Sequence, residues 1–388
     1  MARFRASGNS STGSPVCERR GGFPVILAAS FFFFLNFSEL MLLPKYIAHL
    51  GLSPVDIGLV MGTFSVTVLV TLPFAGILAE RLSRRVVFLF GAALLCLATP
   101  FYARVQDMGT LVFALRIVQG VGFASAFGVL GAMVFDIAAP GSRRYFLGIL
   151  TAVNISTHAI GPALGEYVIH AHGYSLFFLT AGLLGCVGLA AGFFLPGGTS
   201  SGQSRPFSLK EGLPYLAASA VLGTVFGSQV IFVPAFLLTR GMDSSAAFFV
   251  SFVAGSLMVW AFLHRRLRAL GDARSWTLSL VALLIFPFGI PFLGGAIWLS
   301  VLALVFGIGY GYLYPTLNAL AMDAYPDRRS VANSLFVWSF NLGMLLASLG
   351  FGAVSEEWGY DSAFVLSGIL GLAMLALAGR LRGRSGPA

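Results

Sequence analysis

The sequence predicts an all-α polytopic membrane protein with twelve transmembrane helices in two pseudo-symmetric six-helix bundles. Three observations carry that prediction. The first is composition: of 388 residues, 57% are hydrophobic and only 10% charged, and the mean hydropathy is +0.87. A soluble domain carries about a quarter charged residues, so this chain lacks the polar surface to cover a water-exposed globule of its size. The hydropathy is spread over the whole length, which excludes a soluble enzyme on a single anchor as well as disorder, collagen and coiled coil.

The second observation is the span count. Crossing the hydrocarbon takes about 20 mostly apolar residues, and twelve such runs occur: 23–47, 54–79, 86–104, 109–136, 145–168, 174–195, 213–238, 244–263, 275–293, 295–322, 330–354 and 361–379. The runs are continuous, without the alternation of barrel strands, so they are helices. The longest internal loop, 196–212, is rich in Gly, Ser and Pro. The expected organisation is a tail at 1–22, a bundle at 23–195, a linker at 196–212, a bundle at 213–379 and a tail at 380–388. The leading tail does not read as a cleavable signal, because the apolar run behind it is too long and belongs to a polytopic pattern.

The third observation is an internal repeat. Ser38-Glu39, Pro44 and Gly51 recur 190 residues later as Ser228-Gln229, Pro234 and Gly241. Gly120, Gly122 and Asp136 recur at 187 as Gly307, Gly309 and Asp323, and Gly173-Tyr174 at 186 as Gly359-Tyr360. Six spans separate the copies, so the halves share an orientation and relate by an axis along the membrane normal. That architecture suits a carrier whose halves rock about a central site.

Charge sets the topology. Of the 24 Lys and Arg residues, Lys45, Arg104 and Arg240 fall on one side, Arg116 lies within a span, and the other 20 lie in the tails, linker and loops of the opposite side. The positive-inside rule places that basic side, with both termini, in the cytoplasm. Short loops and the lack of a targeting segment favour a bacterial inner (plasma) membrane. The basic excess is therefore a topology signal and implies no nucleic acid. Cys17, Cys96 and Cys186 are an odd number, offer no disulfide framework or metal site, and the last two read as packing residues within apolar runs.

The loop after the second span reads Gly76-Ile-Leu-Ala-Glu80-Arg81-Leu-Ser-Arg84-Arg85. It resembles the GxLaDrxGRR signature of the major facilitator superfamily, with Glu for the usual Asp and Ser83 for the second Gly. Arg116-Ile-Val-Gln119-Gly120 is similar to that superfamily's RxxQG pattern in the fourth span. Gly161-Pro162-Ala-Leu-Gly165 resembles the GPxxG core of its antiporters' fifth span, with Glu166 in place of the final Gly. Glu39 followed by Pro44 resembles the first span of the twelve-span drug/proton antiporter and efflux branch. The resemblance covers essentially the whole chain and implies a secondary transporter.

In the loop, a carboxylate and several cations at the membrane surface can bind a neighbouring helix terminus in one conformation and release it in another. Gly76, Glu80, Arg81, Arg84 and Arg85 are thus expected to form a conformational latch as well as fix topology. The matching stretch of the second half, His264-Arg265-Arg266-Leu267-Arg268, lacks the acid. Gly161, Pro162 and Gly165 are expected to serve helix packing.

Glu39 is the sole carboxylate well inside a span. At about 1.5 Å per residue it lies ~8 Å below the surface opposite the basic side, and Arg116 lies ~9 Å below it. An intramembrane charge costs at least about 2.5 kcal/mol unless paired, protonated or facing water. Two readings follow, a static Glu39–Arg116 pair or an acid whose protonation changes as a cavity opens and closes. The counterparts Gln229 and Ala303 do not titrate, so such a site belongs to the first half. His158, roughly 18 Å into the fifth span, is either a proton relay or a buried, hydrogen-bonded ring. Asn36, Gln119, Asn154, Gln229, Asn318 and Asn341 are the polar candidates for a substrate cavity, together with Trp260 and Trp338. Asn333 is a further cavity candidate of the second half, and Trp298 and Trp358 read as interface anchors.

An aromatic cavity with few charges favours a lipophilic or amphipathic organic substrate. The leading expectation is proton-coupled export by a monomer, with substrate, protons and the bilayer as partners and no cofactor or metal. A sugar or metabolite carrier of the same fold, as exporter or proton symporter, is the alternative, and a passive channel or receptor the alternative of another class. HExxH, GxxxxGK[ST] and clustered His/Asp do not occur, which argues against a metal-dependent membrane enzyme or ATP-driven transport.

Overall fold

A computed structural model of the chain describes residues 22–138, 142–197, 212–325 and 329–375, apart from the side chains at 76, 77, 80, 135, 143, 144, 264, 265, 268, 272, 329 and 330. The described residues form helices α1 (Gly22–Glu39), α2 (Leu43–His49), α3 (Pro54–Arg81), α4 (Arg84–Ala98), α5 (Thr110–Ile137) and α6 (Arg143–Gly192). After the linker come α7 (Leu213–Thr239), α8 (Ala246–Met258), α9 (His264–Ala269), α10 (Asp272–Gly289), α11 (Ala296–Asp323) and α12 (Arg329–Gly371). Ten stretches are long and apolar enough to cross a membrane. Two of them, within α6 and α12, run 48 and 44 residues, about twice a single crossing. Each breaks at a glycine with positive φ, Gly173 (φ 82°, ψ 177°) and Gly359 (φ 82°, ψ 160°), a backbone region nearly closed to side-chain-bearing residues. Ten stretches therefore supply twelve crossings.

Prolines mark three further interruptions. Pro44 has no N–H to continue the helix, and the chain tightens to a 3₁₀ turn at Leu40–Leu42 between α1 and α2. Pro100 and Pro291 sit in similar turns at Thr99–Arg104 and Ile290–Phe292.

The repeat is visible in the packing. A Cβ on Gly120 would lie 2.6 Å from Thr67 of α3, and one on Gly307 would lie 2.0 Å from the Phe252 carbonyl of α8. Likewise Gly122 meets the Gly91 carbonyl of α4, and Gly309 meets the Ser279 carbonyl of α10. Small residues at these points let the backbones touch, which is how helices associate where apolar burial gives no drive. Gly51 and Gly241 both turn with positive φ, and the residues that follow them begin α3 and α8.

Contacts within each half are the densest, α1 with α6 and α7 with α12, while α3 with α12 and α6 with α8 cross between halves. The loops at 49–53, 105–109, 240–245 and 293–295 lie on one face, called here the far face. The opposite, basic face carries the 82–83 and 269–271 connections. Cys96 is buried as expected of a packing residue, whereas Cys186, whose thiol is within reach of Cys96, is exposed.

Candidate functional site

Glu39 ends α1 at 1% exposure, and its Oε2 is buried with no hydrogen-bond partner. Arg116 sits on α5 at 2% exposure. The two do not pair: the ion pairs among the described residues are Lys45–Glu166, Arg84–Asp136 and Arg240–Asp361. Arg116 instead points at α3. Its Nε donates to the Val60 carbonyl (3.4 Å), one terminal nitrogen to Gln119 Oε1 (3.2 Å) and the other to the Met61 sulfur, and the guanidinium lies 4.9 Å from the centre of the Phe64 ring. Equal depth did not make a pair, because each residue along a helix turns the side chain by about 100°. The static ion pair is corrected on that ground.

The amide candidates Asn36 and Gln119 are buried in the interior of the first half. Gln119 Oε1 also accepts from the Tyr102 hydroxyl (2.8 Å), and its Nε2 donates to Thr99 Oγ1 (3.4 Å). Thr99 in turn bonds Asn36, whose Nδ2 donates to the Ala181 carbonyl (2.6 Å). A continuous polar chain thus runs from Arg116 through Gln119 and Thr99 to Asn36, one helical turn before Glu39. Tyr102 and Thr99 carry no motif and were not singled out from the sequence.

A second seam joins α1 to α6. Ser30 Oγ donates to Asn154 Oδ1 (2.7 Å), and Ser38 Oγ meets Thr157 Oγ1 (2.8 Å) and His158 Nδ1 (2.9 Å). His158 is half-buried beside Phe37, ring centres 6.5 Å apart. Gly161 permits this approach, since a Cβ there would come within 2.9 Å of the Glu39 nitrogen and of Ser38. Gly165 does the same against Phe177 and Leu42, and Pro162 is buried between them.

The remaining candidates do not converge. Gln229 is buried in the second half, donating to Ser228 (2.9 Å) and Ser367 (3.0 Å). Asn341 donates to its own helix at Val337 (2.9 Å), and Asn318 donates to Asn333 (2.8 Å) between α11 and α12. Trp338 donates its indole N–H to the Leu69 carbonyl across the halves (3.1 Å), while Trp260 is 48% exposed on a wide π-helical turn at Val259–Leu263 near Gly148. Sequence-nominated amides bond to backbone and neighbouring hydroxyls because a buried amide must be satisfied wherever it falls. The surfaces that do converge are aromatic. Phe37, Phe64, Phe123 and Phe127 stack in the first half, and Phe226, Tyr310, Tyr314 and Phe340 in the second.

At the basic face Arg84 donates to the Ala132 carbonyl (2.9 Å) and pairs with Asp136, both near the end of α5. Arg81 is exposed and Arg85 half-buried, neither in an ion pair with a described residue. Beyond their helical backbone, Gly76, Glu80, His264, Arg265 and Arg268 lie outside what the structure describes.

One charged cluster was not nominated. On the far face Glu166 of α6 and Lys45 of α2 are both 3% exposed and pair at 3.2 Å. Both reach the segment that begins α8. Glu166 accepts from the Ser245 nitrogen (2.6 Å), Ser245 Oγ (2.7 Å), the Ala246 nitrogen (3.1 Å) and Ser244 Oγ, and Lys45 donates to the Asp243 carbonyl. The signal in the sequence was an acid standing where the fifth-span motif has glycine.

Comparison with known proteins places this arrangement. The chain is 27% identical over 330 residues to the multidrug resistance protein MdtD of Klebsiella pneumoniae, an alignment covering 81% of this chain and 66% of that protein. It is 28% identical over 143 residues to the multidrug resistance protein MdtL of Shewanella oneidensis, and 24% identical over 143 to the quinolone resistance protein NorA of Staphylococcus aureus, each covering 37% of this chain and 36% of the relative. The chain thus spans about two thirds of the first relative and about a third of the others. Among solved structures, the nucleoside transporter NupG superposes with a TM-score of 0.74 at 14% identity, covering 92% of this chain and 98% of that one. A bacterial homologue of the human lysosomal transporter Spinster gives 0.72 at 16%, covering 97% and 100%. The sequence model of the Major Facilitator Superfamily matches residues 25–336 and 297–388. The chain is therefore a multi-pass membrane protein belonging to the Major Facilitator Superfamily, with proteins named for multidrug and quinolone resistance among its relatives.

Proposed function

We propose that this transporter is a proton-coupled antiporter that exports a small lipophilic or amphipathic organic compound by alternating access. The observation that carries the reading is Glu39: an acid at 1% exposure whose Oε2 finds no partner. An unpaired carboxylate at such depth is costly, so in this conformation the side chain is held as the neutral acid. Arg116, equally buried and without an acid beside it, is linked to that end of α1 by the Gln119–Thr99–Asn36 chain. A rearrangement that turns the two towards each other, or wets Glu39, releases its proton. His158, bonded to the adjacent Ser38, offers a second exchangeable position on the same stretch of helix.

Substrate class follows from the aromatic surfaces. Phe37, Phe127, Tyr310 and Tyr314 are half-buried at the edges of the two stacks, and ring faces with few charges favour flat apolar molecules. Relatives named for multidrug and quinolone resistance support outward transport as the direction. The two halves, 23–195 and 213–379, rock about the site as units joined by the 196–212 linker. In this reading the basic face and both termini are cytoplasmic, in a bacterial inner membrane, and one chain suffices. Arg84, held on the end of α5, is the described part of the basic-face latch.

Proteoliposomes loaded with a lipophilic fluorescent dye and given a pH gradient test this. Wild type moves dye against protons, and Glu39→Gln loses gradient-driven movement by at least tenfold. Gradient-driven transport at the wild-type rate in Glu39→Gln would remove Glu39 from the mechanism.

A further inference from the structure

A helix start leaves N–H groups without partners, and α8 has no cap from its own Ser245 side chain. Ser244 Oγ of the same half takes one long bond from the Ala246 nitrogen (3.3 Å), and the rest come from the other half: the Glu166 carboxylate, borne on α6, takes the backbone N–H of Ser245 and Ala246 and the hydroxyls of Ser244 and Ser245. Lys45 completes the cluster by bonding both Glu166 and the Asp243 carbonyl. Each half therefore contributes groups that are buried only while the halves touch here. Polar contacts between halves among the described residues are concentrated on this face: the Glu166 and Lys45 cluster, and Val55 N donating to Glu356 at 3.5 Å. The Trp338–Leu69 bond lies deeper. No ion pair among the described residues joins the halves at the basic face.

We infer that Glu166 and Lys45 are the gate of the far face: Glu166 caps α8 of the opposite half, and the far side opens only when Glu166 and Lys45 together release the segment that begins α8. Opening exposes a carboxylate, an ammonium and the start of α8 to water together, so the closed state is favoured by a set of charge-assisted bonds that form or break as a unit. A ligand or mutation shifts such an equilibrium only through its different affinity for the two states, and these residues touch across the halves in one state alone. The inference is independent of the coupling role given to Glu39. It holds for any cargo, and its test needs neither substrate nor proton gradient.

The test uses the full chain in lipid nanodiscs, with Cys17, Cys96 and Cys186 replaced by serine and nitroxide labels attached through Gln106→Cys and Ile297→Cys. Both positions are exposed on the far face, one in each half. Electron–electron resonance then reads the separation of the halves. The starting protein gives a single short-distance population. Glu166→Gln and Lys45→Met each raise the ratio of long to short distances at least tenfold, about 1.4 kcal/mol, while Asp361→Asn, which breaks the exposed Arg240 pair inside one half, leaves it unchanged. A starting-protein distribution in folded Glu166→Gln overturns the gate. If Glu166→Gln does not fold, Lys45→Met leaves the helix cap in place and decides alone: an unchanged distribution there overturns it equally.

Discussion

The two halves meet the far face at pseudo-equivalent crossings, and they solve the same contact differently. Glu166 on α6 rests on the start of α8, at Ser244 to Ala246. Its counterpart 186 residues on is Gly352 of α12, which rests on the start of α3. A Cβ on Gly352 would lie 3.0 Å from the Pro54 carbonyl and 3.2 Å from Gly58 Cα. On the α3 side the helix caps itself: Ser53 accepts from the Asp56 nitrogen and Asp56 accepts from the Ser53 nitrogen. Its neighbour adds a single long contact, Glu356 accepting from the Val55 nitrogen at 3.5 Å, and otherwise needs only to fit. On the α8 side the cap is supplied from across the interface. One crossing is thus set by close packing and the other by charge, and the difference teaches that a two-fold scaffold need not carry a two-fold gate.

Breaking the packed crossing should have the largest effect. A Cβ on Gly58 would fall 2.2 Å from the Ser348 carbonyl, so Gly58→Leu should cost about 3 kcal/mol, the upper end of overpacking, seen as a lower melting temperature in detergent. Next come the hinge glycines: Gly173→Ala and Gly359→Ala should each cost about 2 kcal/mol, because their backbone region is nearly glycine-only, and near-equal losses would confirm that the repeat is energetic as well as geometric. Smallest is Asp56→Ala, at about 1 kcal/mol for a lost capping box. It should lower the melting temperature without changing the far-face distance distribution, whereas Glu166→Gln should change the distribution. A shift from Asp56→Ala equal to that from Glu166→Gln would erase the contrast between the crossings.

Much of the fold was legible because its signals are long-range averages. Twelve apolar runs, the glycine series at constant offset and the charge asymmetry each draw on many residues. The paired glycines mark backbone contacts and turns that no side chain replaces, so Gly120 with Gly307 and Gly173 with Gly359 reappear as matched features. The site was less legible because it depends on azimuth. Depth along a helix follows from counting, but Arg116 faces α3 rather than Glu39, and Asn36 faces Thr99 and Ala181. The Glu166 cap joins residues 79 apart across two halves. Its signal was local and faint: Ser53-Pro54-Val55-Asp56 carries a capping acid, whereas Ser245-Ala246-Ala247-Phe248 does not.

The coupling account rests on Glu39 carrying a proton while it is buried without a partner. An infrared difference spectrum between wild type and Glu39→Gln at neutral pH, recorded in lipid, reads that proton through the carbonyl stretch of a protonated carboxyl. A band present in wild type and missing from the variant is the expected result. A spectrum in which only an ionised carboxylate is lost would show the acid permanently charged and contradict the account.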